Sequence, residues 1–271
     1  VPTVRRKPNG ETNEYFRRGE PDMAPDGEYV ERGIVGEHGF MAEYFTSPAD
    51  TLVPIPEALA EYGMLVEPIS IAEKANDHAF STREPFEWRP ESACVLGNGT
   101  LGLLTLWMLG RDFDRTYCVG RRSRPDPTID VIEELGATYV DSRETSVEAL
   151  PEAHEAVDYV FEATGYAPHA VQTVHALAPN GVGALLGIPG PWEFEIDGGA
   201  LHKEIVMQNK CLIGTVNSHV KHFEAAVDTL EDMPDWLLDD LVTTVATPET
   251  VEAAFEDDDD QIKGVVEFDT L

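Results

Sequence analysis

The hexapeptide Gly97-Asn98-Gly99-Thr100-Leu101-Gly102 constrains this chain more than any other feature. It closes a short apolar run, Ala93–Leu96, and opens a helical pattern carrying Leu103, Leu104 and Leu106. A Gly-Xaa-Gly-Xaa-Xaa-Gly turn between strand and helix is the signature of a phosphate-binding βαβ unit. Gly97 permits the tight turn, Gly99 leaves room for a pyrophosphate, and Gly102 lets the helix pack closely on the strand. The free N–H groups and the dipole of the helix start then hold the phosphates. Without a ligand, the same residues would form only a glycine-rich strand-to-helix connection.

The surroundings of the turn favour the ligand-binding form. Short apolar strands are expected at Ala93–Leu96, Thr116–Val119, Thr138–Val140, Asp158–Glu162, Val182–Leu186 and Cys211–Val216. Helical patterns fall between them at 100–109, 128–135, 146–156, 168–178 and 199–208. Six strands alternating with five helices predict an α/β fold with a doubly wound parallel sheet. Outside this region the grammar differs. Residues 1–56 are rich in Gly, Pro and charge, with β-like pieces such as Phe40–Phe45. Glu57–Phe80 is largely helical with interruptions expected at Gly63 and Pro68. After Asn217 the pattern gives a helix at His219–Glu231, two shorter helical pieces and a last strand at Ile262–Phe268.

The nature of the nucleotide is read at the end of the second strand of the sheet. A ribose 2′-hydroxyl calls for Asp or Glu about 20 residues past the glycines. This chain has Cys118-Val119-Gly120-Arg121-Arg122 instead, with Gly120 standing 18 residues after Gly102. Gly120 removes the carboxylate that would repel a phosphate, and two guanidiniums can grip a 2′-phosphate. Two surface arginines balancing local acid are the plainer alternative. The inference is NADP in preference to NAD, with NAD also accepted. Leu186-Gly187-Ile188-Pro189 and Thr215-Val216-Asn217 end two further strands, where ligands of open α/β sheets bind. These segments either bracket the nicotinamide and its ribose, or serve as an ordinary turn and, at Asn217, a helix N-cap.

Charge narrows the partners. The chain has 51 acidic and 19 basic residues, six of the latter Lys, and a net charge of −32. A surface of that sign repels a polyanion, which excludes nucleic-acid binding through phosphates. No apolar run is long enough to span a bilayer, which excludes a membrane-spanning role. The acids are spread along the chain, with only five of 51 in the run Glu256–Asp260. An acid-rich, Lys-poor surface is suited to molar salt, which screens its self-repulsion. Cys94, Cys118 and Cys211 sit singly in apolar runs, so buried free thiols in a reducing, cytoplasmic compartment are expected.

Metal chemistry is weakly signalled. No CxxC or HExxH occurs, and zinc needs several converging ligands. Glu67, in Leu65-Val66-Glu67-Pro68-Ile69-Ser70, is either a ligand or a first-turn acid favoured by the helix dipole. Among the eight His, only His219 and His222 share a helical face, and both are expected at the surface.

Taken together, several stretches resemble the medium-chain zinc-dependent dehydrogenases, in particular glucose-oxidising members from salt-loving archaea. They are Val1–Arg6, Asn13–Phe16, Glu31–Gly36, Glu67–Lys74, Val95–Leu104, Gly120–Thr128, Ala178–Gly187, Asn217–His219 and the acidic run before Ile262-Lys263. The resemblance covers essentially the whole chain. It implies a partial GroES-like, β-rich catalytic domain over residues 1–71, an NADP-binding Rossmann domain over 72–218, and a return to the catalytic domain over 219–271.

The activity implied is oxidation of β-D-glucose at C1 to glucono-1,5-lactone. Another aldose or polyol dehydrogenase, or a nucleotide-binding module without catalysis, is the alternative. By the resemblance, Glu67 is a catalytic-zinc ligand, and Glu31, Glu67 and Asn217 meet the sugar. Gly97, Asn98, Gly99, Thr100, Leu101, Gly102, Arg121, Arg122, Leu186, Gly187, Ile188, Thr215, Val216 and Asn217 contact the cofactor, and Lys263 reaches it. A small-molecule sugar is the expected substrate, and a homodimer or homotetramer the expected assembly. The chain opens at Val1 without an initiator Met, as if in mid-strand. The family's other zinc ligands, an Asp or Cys and a His-Glu pair, are expected upstream of Val1. A structural zinc in the lobe spanning 5–30 is not expected, since no Cys precedes Cys94.

Overall fold

The computed structural model describes residues 1–3, 6–256 and 260–268. Val4, Arg5 and most of the acidic run Glu256–Asp260 therefore lie outside the described residues. The chain divides into two compact units, one made of Val1–Lys74 with Val216–Leu271 and one of Ala75–Thr215.

The first unit begins with β1 (Arg6–Pro8), α1 (Glu14–Arg18), β2 (Tyr29–Arg32) and β3 (Gly36–Glu37). The three strands form a sheet in the order β1-β2-β3. Asn13 caps α1 by accepting the Tyr15 and Phe16 N–H groups, and Gly19 ends it at φ 76°. The expected β-like piece at Phe40–Phe45 is irregular. Among the described residues no strand pairs with it, and Met41 and Tyr44 are exposed. A 3₁₀ turn at Glu57–Leu65 then leads directly into α2 (Val66–Ser81). Pro68 does not interrupt that helix. It lies in the first turn, where a missing N–H removes no hydrogen bond within the helix.

The second unit holds β4 (Ser92–Leu96), α3 (Thr100–Leu109), β5 (Arg115–Gly120), α4 (Pro127–Glu134), β6 (Thr138–Asp141), α5 (Leu150–Ala153), β7 (Val157–Glu162), α6 (His169–Ala176), β8 (Leu177–Leu185), α7 (Gly198–Met207) and β9 (Cys211–Gly214). All six strands run parallel, in the order β6-β5-β4-β7-β8-β9. This is the doubly wound Rossmann arrangement that the alternation predicts. β4 is buried throughout, and α3 buries Leu103, Leu104, Leu106 and Leu109. Helices on both faces of a parallel sheet require such continuous apolar strands. β8 starts earlier than expected, at Leu177, because an irregularity around Pro179 and Asn180 carries the chain along β7 before regular pairing resumes at Val182. Cys94 and Cys118 are buried free thiols, but Cys211 is only partly covered. Burial pushes the Cys118 thiol up to about 12.

The chain then returns to the first unit through α8 (Val220–Glu231), α9 (Asp235–Leu241), β10 (Val242–Ala246) and β11 (Lys263–Val266), the two strands pairing in parallel. The strand β10 was not anticipated. It follows α9 without a break, so no turn residue marks its start. No helix among the described residues is long and apolar enough to cross a membrane.

Candidate active site

The glycine turn lies at the carboxyl end of β4, the strand whose neighbours β5 and β7 lead away in opposite directions across the sheet. That is the switch point where such sheets bind ligands. Its three glycines do three separable things. Gly97 takes φ 112°, a left-handed conformation that L side chains rarely adopt. A Cβ on Gly102 would stand 1.9 Å from the Gly97 carbonyl oxygen, so this glycine is required by helix-to-strand packing. A Cβ on Gly99 would meet nothing within 4 Å. Gly99 is exposed and caps α3 without any side-chain hydrogen bond. Open space above an uncapped helix start is what a pyrophosphate requires.

Around the turn, Asn98 donates from Nδ2 to Thr128 Oγ1 at 2.6 Å, tying the turn to the start of α4. One of the two N–H donors of that amide is therefore committed to the scaffold. Gly120 has a steric duty beyond the electrostatic one, because a Cβ there would lie 2.6 Å from Asn98 Oδ1. Beyond it, Arg121 is exposed and Arg122 half-buried, with Arg122 Nη1 3.8 Å from Asp126 Oδ2. A third arginine, invisible to motif reading, supports them. Arg143 donates to the Arg122 carbonyl at 3.1 Å and the Ser123 hydroxyl at 2.7 Å. It is itself fixed by Asp141, whose carboxyl it holds down at about 2.

Leu186, Gly187 and Ile188 leave the end of β8, and the Ile188 side chain is 82% exposed. Thr215 follows β9, with its Oγ1 buried and unpartnered. An apolar side chain in the open and an orphaned hydroxyl, both past the carboxyl ends of strands, fit a nicotinamide nucleotide. Thr100 and Leu101 lie in the first turn of α3 and are both half-buried.

In the first unit, Glu31, Asn217 and Glu67 are linked by a buried polar network. Asn217, held at φ 60°, donates from Nδ2 to Glu31 Oε1 at 2.9 Å, and the other carboxylate oxygen accepts from Arg6 Nε at 2.9 Å. Arg6 and Glu31 are direct cross-strand partners on β1 and β2. Asn217 is not the N-cap of α8; its Oδ1 accepts the Ser218 N–H at 2.7 Å. Ser218 Oγ meets Ser70 Oγ at 2.8 Å, and Ser70 donates to the Glu67 carbonyl at 2.7 Å. Ser70 has one proton, so Ser218 donates to Ser70. Lys74, 1% exposed, donates to Asp22 Oδ2 at 2.6 Å and to the Val216 carbonyl at 2.9 Å. Burial lowers its pKa, and the Asp22 carboxylate works against that shift.

Arg6, Asp22 and Lys74 were missed by motif reading. Arg6 and Lys74 entered only as the ends of the stretches Val1–Arg6 and Glu67–Lys74 that carry the resemblance, with no role given to either. Val216 is exposed, and Lys263 opens β11 opposite Val242. The expectation of two surface histidines needs correcting. His219 is the N-cap of α8 and accepts the Lys221 N–H, while His222 is 4% exposed and accepts the His219 N–H. Among the described residues, no three His, Cys, Asp or Glu side chains gather to hold a metal.

A glycine turn with open space at its centre, on a six-stranded parallel sheet with arginines at the neighbouring strand end, defines a dinucleotide-binding unit of the dehydrogenase type. Residues 60–268 match the family model described as glucose dehydrogenase C-terminus. A glucose 1-dehydrogenase of Haloarcula marismortui is 78% identical over all of this chain and 77% of its own length. The crystal structure of Haloferax mediterranei glucose dehydrogenase in complex with NADP, Zn and gluconolactone is 61% identical, with a TM-score of 0.98, covering all of this chain and 77% of that one. The 2R,3R-butanediol dehydrogenase of Bacillus subtilis, at 23% identity and a TM-score of 0.75 over 98% of this chain and 73% of that one, shares the fold. The chain belongs to the glucose dehydrogenase family.

Proposed function

We propose that this protein is an NADP-dependent glucose 1-dehydrogenase that oxidises β-D-glucose at C1 to glucono-1,5-lactone. The observation that carries the reading is the match to the Haloferax mediterranei glucose dehydrogenase in complex with NADP, Zn and gluconolactone. The second unit of this chain supplies the cradle that such a nucleotide needs. The helix start above Gly99 takes the pyrophosphate, and Arg121 and Arg122 take the 2′-phosphate. Leu186–Ile188 and Thr215 take the nicotinamide ribose. When bound, NADP accepts the hydride that leaves C1.

In the first unit, Glu31 and Asn217 bind sugar hydroxyls. Each Glu31 oxygen has one described partner and keeps acceptor capacity, so the carboxylate can still receive a hydroxyl. Arg6 fixes its direction. Glu67 belongs to this reading as a zinc ligand, but the donor set of the described residues is too small for a four-coordinate site. Dimeric or tetrameric assembly is part of the same proposal, and light scattering in molar KCl tests it.

Turnover is tested by following NADPH formation in molar KCl with glucose, another aldose and a polyol. Faster turnover of glucose supports the proposal. NADPH binding with no turnover of any sugar would favour the non-catalytic module.

A further inference from the structure

The proposed cofactor contacts leave one buried acid unexplained. Glu162 ends β7, is 3% exposed, and stands opposite Leu96 at the carboxyl edge of the sheet. Two loops converge on its carboxylate. Oε1 accepts the Thr164 N–H at 2.7 Å, the Gly165 N–H at 3.0 Å and the Thr164 hydroxyl at 2.5 Å. Oε2 accepts the Gly187 N–H at 3.2 Å. The Glu162 carbonyl also accepts Leu186 N–H at 2.9 Å.

The loops touch through backbone. A Cβ on Gly187 would lie 2.0 Å from the Gly165 nitrogen, and one on Gly165 would lie 3.0 Å from the Ile188 carbonyl oxygen. Thr164 gives its only hydroxyl proton to Glu162, so Oγ1 accepts from the Tyr166 N–H at 3.0 Å and from His169 Nδ1 at 2.8 Å. That assigns the Nδ1–H form to His169. An acceptor-only group is the one kind that satisfies all of these donors together, and an amide or a protonated acid would set N–H or O–H against them.

We propose that Glu162 is a positioning residue for the cofactor, its carboxylate fastening the Thr164–Gly165 and Leu186–Ile188 loops into one frame that receives the nicotinamide-ribose half of NADP(H). The inference rests on the reading above that Leu186–Ile188 meets the nucleotide. It adds that the loop is held from behind by a side chain that does not touch the ligand. It also predicts which half of the cofactor feels the loss, because the adenosine half binds at the Gly99 turn and the arginines.

Two probes separate the halves in the full chain in molar KCl. NADPH uses both, and adenosine 2′,5′-bisphosphate uses only the adenosine half. In Glu162→Gln, NADPH affinity should fall about tenfold, the scale of one weakened charge-assisted hydrogen bond, while adenosine 2′,5′-bisphosphate stays within about twofold. Thr164→Val removes one donor and keeps the carboxylate, and should shift NADPH alone in the same direction by a smaller factor. That variant decides the question if Glu162→Gln does not fold. Equal losses for both probes would mark a general structural role and overturn the proposal, as would unchanged NADPH binding. If wild-type protein binds NADPH no more tightly than adenosine 2′,5′-bisphosphate, the underlying contact of Leu186–Ile188 fails, and this inference with it.

Discussion

Two single-methyl additions, three residues apart in the same turn, should have opposite consequences. In Gly102→Ala the new Cβ would lie 1.9 Å from the Gly97 oxygen and 2.9 Å from the Gly97 carbonyl carbon. Both are backbone atoms of a turn closed against a buried strand, so no side chain can swing aside. Overpacking costs about 1–3 kcal/mol, and a rigid obstacle puts this case at about 3. In Gly99→Ala the methyl meets nothing within 4 Å, and the residue's φ of −80° suits alanine. Reduced freedom of the unfolded chain contributes about 0.4–1 kcal/mol of stability, and the poorer N-cap removes a similar amount. The net change should be near zero. The methyl does, however, occupy the space reserved for the pyrophosphate. Losing one charge-assisted phosphate hydrogen bond costs about 1.5–3 kcal/mol, a factor of roughly 10 to 150 in affinity. Thermal melts in molar KCl and NADPH fluorescence titrations read the two quantities independently. Gly99→Ala should keep its melting temperature and lose NADPH, and Gly102→Ala should melt lower. Full NADPH affinity in Gly99→Ala would refute the placement of the phosphates, and an unshifted melt in Gly102→Ala would refute the packing argument.

Arg121→Ala and Arg122→Ala should each lose about 1.5–3 kcal/mol of NADPH affinity and leave NADH nearly unchanged; equal losses for both nucleotides would remove these residues from the 2′-phosphate. Melting temperature should rise steeply with KCl, because pairing all 19 bases still leaves 32 of the 51 acids unneutralised; a flat profile would contradict salt adaptation. Lys74→Met leaves Asp22 charged and buried, and should cost about 3–5 kcal/mol, most of it restored by adding Asp22→Asn; no rescue would mean that packing of the lysine stem, not the ion pair, sets the loss. Burial alone would raise the Glu162 pKa, but the nearby His169 ring and the hydrogen bonds from Thr164 outweigh it and hold the carboxyl below its usual range. Its stabilising contribution is therefore complete above the unfolded value of about 4.3 and is lost as pH falls through the lower folded value. The stability gap between wild type and Glu162→Gln should be constant near neutrality and close in acid; a gap that widens in acid would reverse the sign of the argument.

The parallel sheet was legible because its information is local. Strands covered on both faces read as unbroken apolar runs, and each is followed within a few residues by the glycine or helix start that ends it. All six were anticipated, with edges that moved only where pairing, not composition, sets the limit, as at Leu177 and Gly214. The first unit was not legible in the same way. β1, β2 and β3 have three, four and two residues, too few to show a period of two, and what makes them strands is their partner. Phe40–Phe45 shows the converse, with strand-forming residues and no partner among the described residues. His222 was misread because a helical face was taken as solvent-facing, when its ring closes the start of α8.

The same division runs through the candidate site and explains why one ligand was easier to read than the other. Phosphate recognition uses backbone N–H groups and a dipole, so it writes itself into three glycines within six residues and into the end of the next strand. Recognition of a polyhydroxylated ring needs side-chain acceptors held at fixed angles, and those are assembled across the chain. Glu31 takes its direction from Arg6, 25 residues away, and from Asn217, 186 residues away. Lys74 reaches 52 residues back to Asp22 and 142 forward to Val216. No spacing rule connects such positions, and resemblance alone selected Glu31, Glu67 and Asn217 from 51 acids and many amides. What the structure adds is a physical reason for the selection. In a chain carrying a surplus of 32 negative charges, two of only 19 bases are spent on buried acids here. A buried cation costs desolvation that a surface one does not. Spending Arg6 and Lys74 in this place makes sense if the orientation of Glu31 and of the Val216–Asn217 backbone matters more than neutralising the surface.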